Sequence, residues 1–471
     1  MSDNIREKCG VFGIWGHKEA ARISYYGLHS LQHRGQDGAG IVVKNNGDLI
    51  RHKGQGLLTE VFTEDILQSF HGSAAIGHVL YATRGNTDQA GIQPLLFHFE
   101  KSSLALCHNG KLVNAPSLKR RLEEYGSIFQ SNCDSELLAH LIKRTRHITF
   151  IDSVKQALSQ VRGGFAGLLL TQTEMIAVRD QRGLRPLVIG RLGHSYVVAS
   201  ETCALDTIGA DFVRDVAPGE IIIINDRGMR AENFSADREM AVCSMEFIYF
   251  ARPDSNIEGA NVHSSRKNVG RALAFESPAK AADVVVAVPD SGVSAAIGYA
   301  EASGIPYEIG LIKNRYIGRT FIAPAQELRE QGVKMKLSAV RSIIAGKSIV
   351  LVDDSIVRGT TSKRIVASLR EMGAREVHMK IASPLFRYPC FYGIDLPSTE
   401  ELIAYNNSPW DIGEIIGVDS IAFISEEGLA NAIGLPFQSS CRGLCLGCFS
   451  GEYPIDLYDY HGKAGLNERK V

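Results

Sequence analysis

The chain has 471 residues, 45% hydrophobic and 22% charged, enough to bury large cores and divide into two or more domains. That composition excludes disordered and fibrous architectures. With 51 basic against 52 acidic side chains and a net charge of -1, nothing draws the whole surface toward nucleic acid or an anionic membrane, so any phosphate binding must be local.

No apolar run approaches the ~20 residues of a spanning helix, and Met1 to Lys8 lacks the apolar stretch of a secretory signal. A cytoplasmic protein without membrane or nucleic-acid partners is expected. In that compartment thiols stay reduced, so the nine cysteines are read as metal ligands or catalysts before disulfides.

From Cys9 to about residue 235 short β-like runs dominate, among them Gly40-Ile-Val-Val, Ser103-Leu-Ala-Leu, Met175-Ile-Ala-Val, Tyr196-Val-Val-Ala and Glu220-Ile-Ile-Ile-Ile. Helical periodicity is confined to segments such as those starting at Ser117 and Asp134. This pattern predicts an α+β domain of layered antiparallel sheets. Cys9 opens its first strong β run, behind eight polar residues. Removal of those residues would free an α-amine with a pKa near ~8, able to activate the Cys9 side chain as its base. A lone cysteine near a terminus would ordinarily be structural. Here the same region carries Leu31-Gln-His33-Arg34-Gly35, Leu80-Tyr81-Ala-Thr, His108-Asn109-Gly110-Lys111 and Cys133-Asp134-Ser135-Glu136.

After about residue 275 strands and helices alternate: Asp283-Val-Val-Val-Ala-Val, a helix from Ser294, Lys347-Ser-Ile-Val-Leu-Val, a helix from Ser362 to Met372, then Val377-His-Met-Lys-Ile. This predicts an α/β domain with a parallel sheet, its ligands lying beyond the strands' C-terminal ends. The boundary falls near residue 238, with no internal repeat and no Pro-rich linker. The strongest motif is Val350-Leu-Val-Asp353-Asp354-Ser355-Ile-Val-Arg358-Gly359-Thr360-Thr361. Its loop amides and helix N-terminus suit a phosphate, and its paired carboxylates suit ribose hydroxyls or hydrated Mg²⁺. A second strand end, Val286-Ala-Val-Pro289-Asp290-Ser291-Gly292, would alone be an ordinary turn. Lys313, Arg315, Arg319, Lys334 and Lys336 supply cations for a polyanion. Cys445-Leu-Gly-Cys448 lets two thiolates reach one metal centre, and Cys243 and Cys390 could complete four ligands, but the spacing does not choose the metal.

The first set of motifs resembles the class II glutamine amidotransferases. That resemblance implies an N-terminal-nucleophile αββα sandwich, Cys9 attacking the glutamine amide, Asn109 and Gly110 as oxyanion donors, and Arg34 and Asp134 holding the substrate carboxylate and amine. Two positions depart from the family: Leu80 stands where an Arg is expected, with Arg84 four residues later, and Lys111 replaces a frequent Asn. The second set resembles the phosphoribosyltransferases that use 5-phosphoribosyl 1-pyrophosphate (PRPP). Asp353, Asp354, Ser355, Arg358, Gly359, Thr360, Thr361, Lys313 and Arg315 would bind PRPP, and Ser291, Asp353 and Asp354 would hold Mg²⁺.

Both halves in this order resemble the Bacillus-like, iron–sulfur amidophosphoribosyltransferase family. The resemblance implies that PRPP, glutamine and water give 5-phosphoribosylamine, glutamate and pyrophosphate, opening purine synthesis. It also implies a [4Fe-4S] cluster on Cys243, Cys390, Cys445 and Cys448 with Cys441 as spare, purine nucleotides as inhibitors, and a homotetramer. Residues 1–8 would be a propeptide, 9–238 the glutaminase and 239–471 the phosphoribosyltransferase with a cysteine-bearing tail. The basic segment from Lys313 to about Arg341 is the expected lid. The competing expectation is a PRPP-binding regulator with an impaired glutaminase.

Overall fold

The computed structural model describes residues 9–45, 47–81, 89–100, 102–145, 149–279, 281–314, 337–394, 399–435 and 443–463. The alternating N-terminal runs form two antiparallel sheets. The first has seven strands, with Cys9–Trp15 at its centre between Ser195–Ala199 and Ala74–Leu80. The second has six, including Ser103–Leu112 paired with Gly163–Leu170. Their inner faces meet through residues such as Val11, Val42 and Ile76 from one sheet and Leu168, Ala177 and Ile222 from the other. Strand alternation sends Phe12 and Ile14 to the opposite face, where they pack with Leu28 and Ala204 of the helices Ala20–Ser30 and Thr202–Ile208. On the far side, helices Asp134–Arg144 and Phe150–Gln160 cover Leu169 and Ile176. The layering is αββα.

The second half contains a four-stranded parallel sheet, in the order Val284–Ala287, Ser348–Asp353, Glu376–Ile381, Ser420–Phe423. Val350 and Val352 pack toward helices Val262–Glu276 and Val293–Ser303, whereas Ile349 and Leu351 pack toward Ile365 and Leu369 of Thr360–Glu371. Burial on both faces explains why this strand is apolar without alternation. A short parallel pair, Val242–Cys243 with Leu444–Cys445, brings the start of this half beside its C-terminal tail. Among the described residues no helix is long and apolar enough to cross a membrane.

Candidate active sites

Cys9 is buried at the head of the central strand, in register with Leu80 on the neighbouring strand. Its carbonyl accepts a hydrogen bond from Arg34 Nε at 3.3 Å. The turn carrying Arg34 lies so close to the Leu80 strand that a Cβ on Gly35 would meet the Val79 carbonyl carbon at 2.5 Å. On the second sheet, Asn109 is fully buried. Gly110 has φ +134°, and a Cβ there would lie 2.0 Å from Gly164 O. Only glycine fits, which leaves its backbone N–H unshielded by any side chain. Cys107, two residues before Asn109 and so on the same strand face, is pushed up by burial and then by the Cys9 thiol. Val11 and Cys107 pack in one core between the sheets, so the strand of Asn109 and Gly110 faces that of Cys9. Asp134 begins its helix and accepts Leu112 N–H at 2.8 Å, which ties it to the end of that same strand.

Arg34 departs from its expected role as a substrate-carboxylate clamp. Its side chain is 0% exposed. Nη1 donates to Glu201 and Nη2 to both oxygens of Glu246, at 2.9 and 3.0 Å. A buried guanidinium facing two carboxylates is already matched in charge and geometry. Its surroundings make it a support for Cys9. Burial alone would raise Glu201, but His33 and Arg34 beside it hold it well below the usual carboxylate range. Sequence reasoning missed Glu201 and Glu246, because neither lies in a recognisable motif.

At the C-terminal ends of the parallel strands, Ser291 donates to Asp354 Oδ2, joining the two loops that the sequence kept 63 positions apart. Ser355 donates to the other Asp354 oxygen at 2.5 Å. Asp353 is raised by burial and then by Asp354; Asp354 is raised by burial against the opposing pull of Ser291, Ser355 and Arg266. Two crowded carboxylates in a dry site favour a proton or a cation between them. Gly359, at φ +76°, turns the chain into the helix Thr360–Glu371, whose first turn carries Thr360 and Thr361. This puts a helix N-terminus beside the acidic pair, the arrangement that suits phosphate. Arg358 pairs with Glu401 at 2.5 Å, and Lys313 with Asp290 at 2.7 Å. Arg315, Arg319, Lys334, Lys336 and most of the expected lid, like Arg84, Cys441 and the leader, lie outside the described residues.

Tyr249, in the π-helical turn Glu246–Phe250, was not anticipated. Burial, then Asp354, Asp353 and Tyr81, hold its phenol well above the ordinary value. One side chain thus feels both the acidic pair and the residue following Leu80.

Cys243, Cys390, Cys445 and Cys448 line one small, apolar-walled cavity with Arg185, Tyr392 and Tyr453. Register places Cys243 beside Cys445. Tyr392 N–H donates to Cys390 Sγ at 3.4 Å. Burial and the other three thiols push Cys448 well up. Among the described residues no group of three His, Cys, Asp or Glu side chains is set to hold a single metal ion.

Two family profiles match the chain: a glutamine amidotransferase domain over residues 81–207 and a phosphoribosyl transferase domain over residues 261–383. The protein is therefore a glutamine amidotransferase joined to a pentosyltransferase. The amidophosphoribosyltransferase of Bacillus subtilis is 60% identical over 455 residues, covering 96% of this chain and 95% of its own. That of Staphylococcus aureus is 52% identical, covering 99% and 95% respectively. The solved B. subtilis glutamine PRPP amidotransferase complexed with ADP and GMP superimposes with a TM-score of 0.92, covering 96% of this chain and 98% of that one. The chain belongs to the amidophosphoribosyltransferase family, whose reaction is the first step of purine biosynthesis; the regulator reading is not favoured.

Proposed function

We propose that the two sites work in sequence, with Cys9 releasing ammonia from glutamine and the Asp353–Asp354 loop directing it onto PRPP. The observation that carries this reading is the contact of Arg34 Nη2 with Glu246, at 2.9 and 3.0 Å, which ties the support of Cys9 to the turn Glu246–Phe250, where Tyr249 is raised by burial and then by Asp354 and Asp353. Loss of residues 1–8 exposes the Cys9 amine, which takes the thiol proton. The thiolate attacks the glutamine amide carbon, Asn109 and Gly110 N–H hold the oxyanion, and the protonated Cys9 amine returns its proton to the amide nitrogen, which leaves as ammonia. Water then hydrolyses the thioester to glutamate. Asp134 holds the substrate amine; the carboxylate clamp is left unassigned, because Arg34 is already paired.

In the second site the amides and hydroxyls from Ser355 to Thr361 cradle the 5-phosphate, with Arg358, Lys313 and Arg315 as further anion partners. Ammonia attacks C1 in line as pyrophosphate departs, and Asp353 and Asp354 hold the ribose as positive charge develops at C1. Mg²⁺ would be held by Ser291, Asp353 and Asp354 and neutralises the leaving pyrophosphate when bound.

Four cysteines lining one cavity supply the donor set of a [4Fe-4S] cluster. Such a cluster, when bound, is a structural and oxygen-sensitive staple. Purine nucleotides are the inhibitors, as the ADP and GMP of the Bacillus complex support. The domains divide near residue 238, and the protein is a cytoplasmic homotetramer. The test is pyrophosphate release from PRPP and Mg²⁺ on anaerobically purified protein, with glutamine and ammonia in parallel. Both nitrogen sources should work. Ammonia alone working would reject the glutaminase reading, and neither working would reject the transferase reading as well.

A further inference from the structure

The nucleophile stands on the first sheet of the sandwich and its oxyanion donors on the second, so something must fix their relative placement. We infer that Glu246 is the positioning residue that does so, through the two arginines it holds. This rests on the reading of Cys9 as nucleophile and Gly110 as oxyanion donor.

The contacts form a continuous chain. Arg34 Nε donates to the Cys9 carbonyl at 3.3 Å, while its Nη2 donates to Glu246 at 2.9 and 3.0 Å. Arg185 Nη1 donates to the same carboxylate at 3.3 Å, and Arg185 Nη2 to the Tyr392 carbonyl at 3.0 Å. The next residue, Gly393, ends the chain against Gly110: a Cβ there, at φ +126°, would lie 2.7 Å from Arg185 Nη2 and 3.2 Å from the Gly110 Cα. From Cys9 the path runs through Arg34, Glu246, Arg185 and Gly393 to Gly110. It crosses between the sheets through a residue that belongs to neither.

The chemistry suits the role. A guanidinium is planar and rigid, so fixing two of its edges on carboxylates aims the third. For Arg34 that third edge is Nε, on the backbone of the nucleophile itself. Arg34, Arg185, Glu201 and Glu246 are all within 1% of full burial, and their formal charges cancel. Removing the charge of Glu246 leaves a buried net cation that must turn toward another acceptor. The Cys9 carbonyl would turn with it. A misplacement of ~1 Å in a reacting group can cost ~100-fold in rate.

The experiment uses full-length, anaerobically purified protein in three forms: wild type, Glu246→Gln and Glu246→Asp. Pyrophosphate release is measured against glutamine and against ammonia. In Glu246→Gln the kcat with glutamine should fall at least ~tenfold while KM for glutamine stays within about twofold, because Asp134 holds its substrate group independently. Ammonia-dependent release should hold, and Glu246→Asp, which keeps the charge on a shorter arm, should recover part of the loss. Should Glu246→Gln not fold, Glu246→Asp decides, with a smaller loss expected in the glutamine kcat alone. Wild-type ratios of glutamine to ammonia rates in the variants would overturn the inference. So would equal losses with both nitrogen sources, which would make Glu246 merely structural. A wild-type protein that uses ammonia but not glutamine would instead overturn the glutaminase reading beneath it.

Discussion

The two halves handle buried charge in opposite ways. Around Cys9, Arg34 and Arg185 meet Glu201 and Glu246 inside the chain, so folding alone neutralises the cluster. At the PRPP loops, Asp353 and Asp354 crowd together in a dry site, and both are pushed up from the ordinary carboxylate value. On the proposed reading, the difference separates a site whose nucleophile must be held still from one whose carboxylates would be matched by a bound cation. One is complete on folding, and the other is completed by its ligand.

The sharpest way to break this contrast is to disable one half at a time. Cys9→Ser should lower glutamine-dependent pyrophosphate release by ~10³-fold or more and leave the ammonia-dependent rate in place. Loss of both rates would mean that the halves are not separable.

Asp353→Asn should lower release by at least ~10²-fold with either nitrogen source. It should also raise the melting temperature of the Mg²⁺-free protein, because it removes a carboxylate that the fold prefers protonated. The sign follows from the raised value in the folded state. Stability of the ligand-free protein falls as pH rises from the unfolded carboxylate range through the raised folded one. Thermal melts across that range should show this slope in the wild type and a weaker one in Asp353→Asn.

Gly393→Ala sharpens the contrast from the other side, by pressing a methyl group between Arg185 and Gly110 at a positive φ. About 1–3 kcal/mol of strain is expected, read as a lower melting temperature and a severalfold loss of glutamine kcat. The smallest effect is assigned to Lys111→Asn, which removes a cation lying 4.7 Å from the Tyr460 ring centroid. About 0.5–1 kcal/mol of stability is at stake, and both rates should stay within about twofold.

Contiguous motifs were legible in the sequence. The strand into Asp353, Asp354 and Gly359 could be read because apolar run, acids and loop adjoin one another, and the layered antiparallel sheets followed from short β-like runs, the αββα order coming only with the family resemblance. Asn109 and Gly110, alone no more than a tight turn, drew their expected role from the family resemblance. What could not be read was pairing across distance. Arg34 was visible as an arginine in a motif, but its partners Glu201 and Glu246 lie 167 and 212 positions away. Tyr249 sits in an apolar run whose composition announces only burial. Cys445 and Cys448 were visible as a CxxC with Cys243 and Cys390 as candidate partners, but only the parallel pairing of Val242–Cys243 with Leu444–Cys445 explains how Cys243 comes beside Cys445.

The contrast between the halves is tested most directly by an infrared difference spectrum between the ligand-free protein and its complex with Mg²⁺ and a non-reactive PRPP analogue, repeated on Asp353→Asn. The account predicts that a protonated-carboxyl band present in the ligand-free protein is lost on binding, and that this change is absent in the variant. A wild-type spectrum with no such change would show that the pair is already ionised without its cation. That result would contradict the division between a site finished by folding and one finished by its ligand.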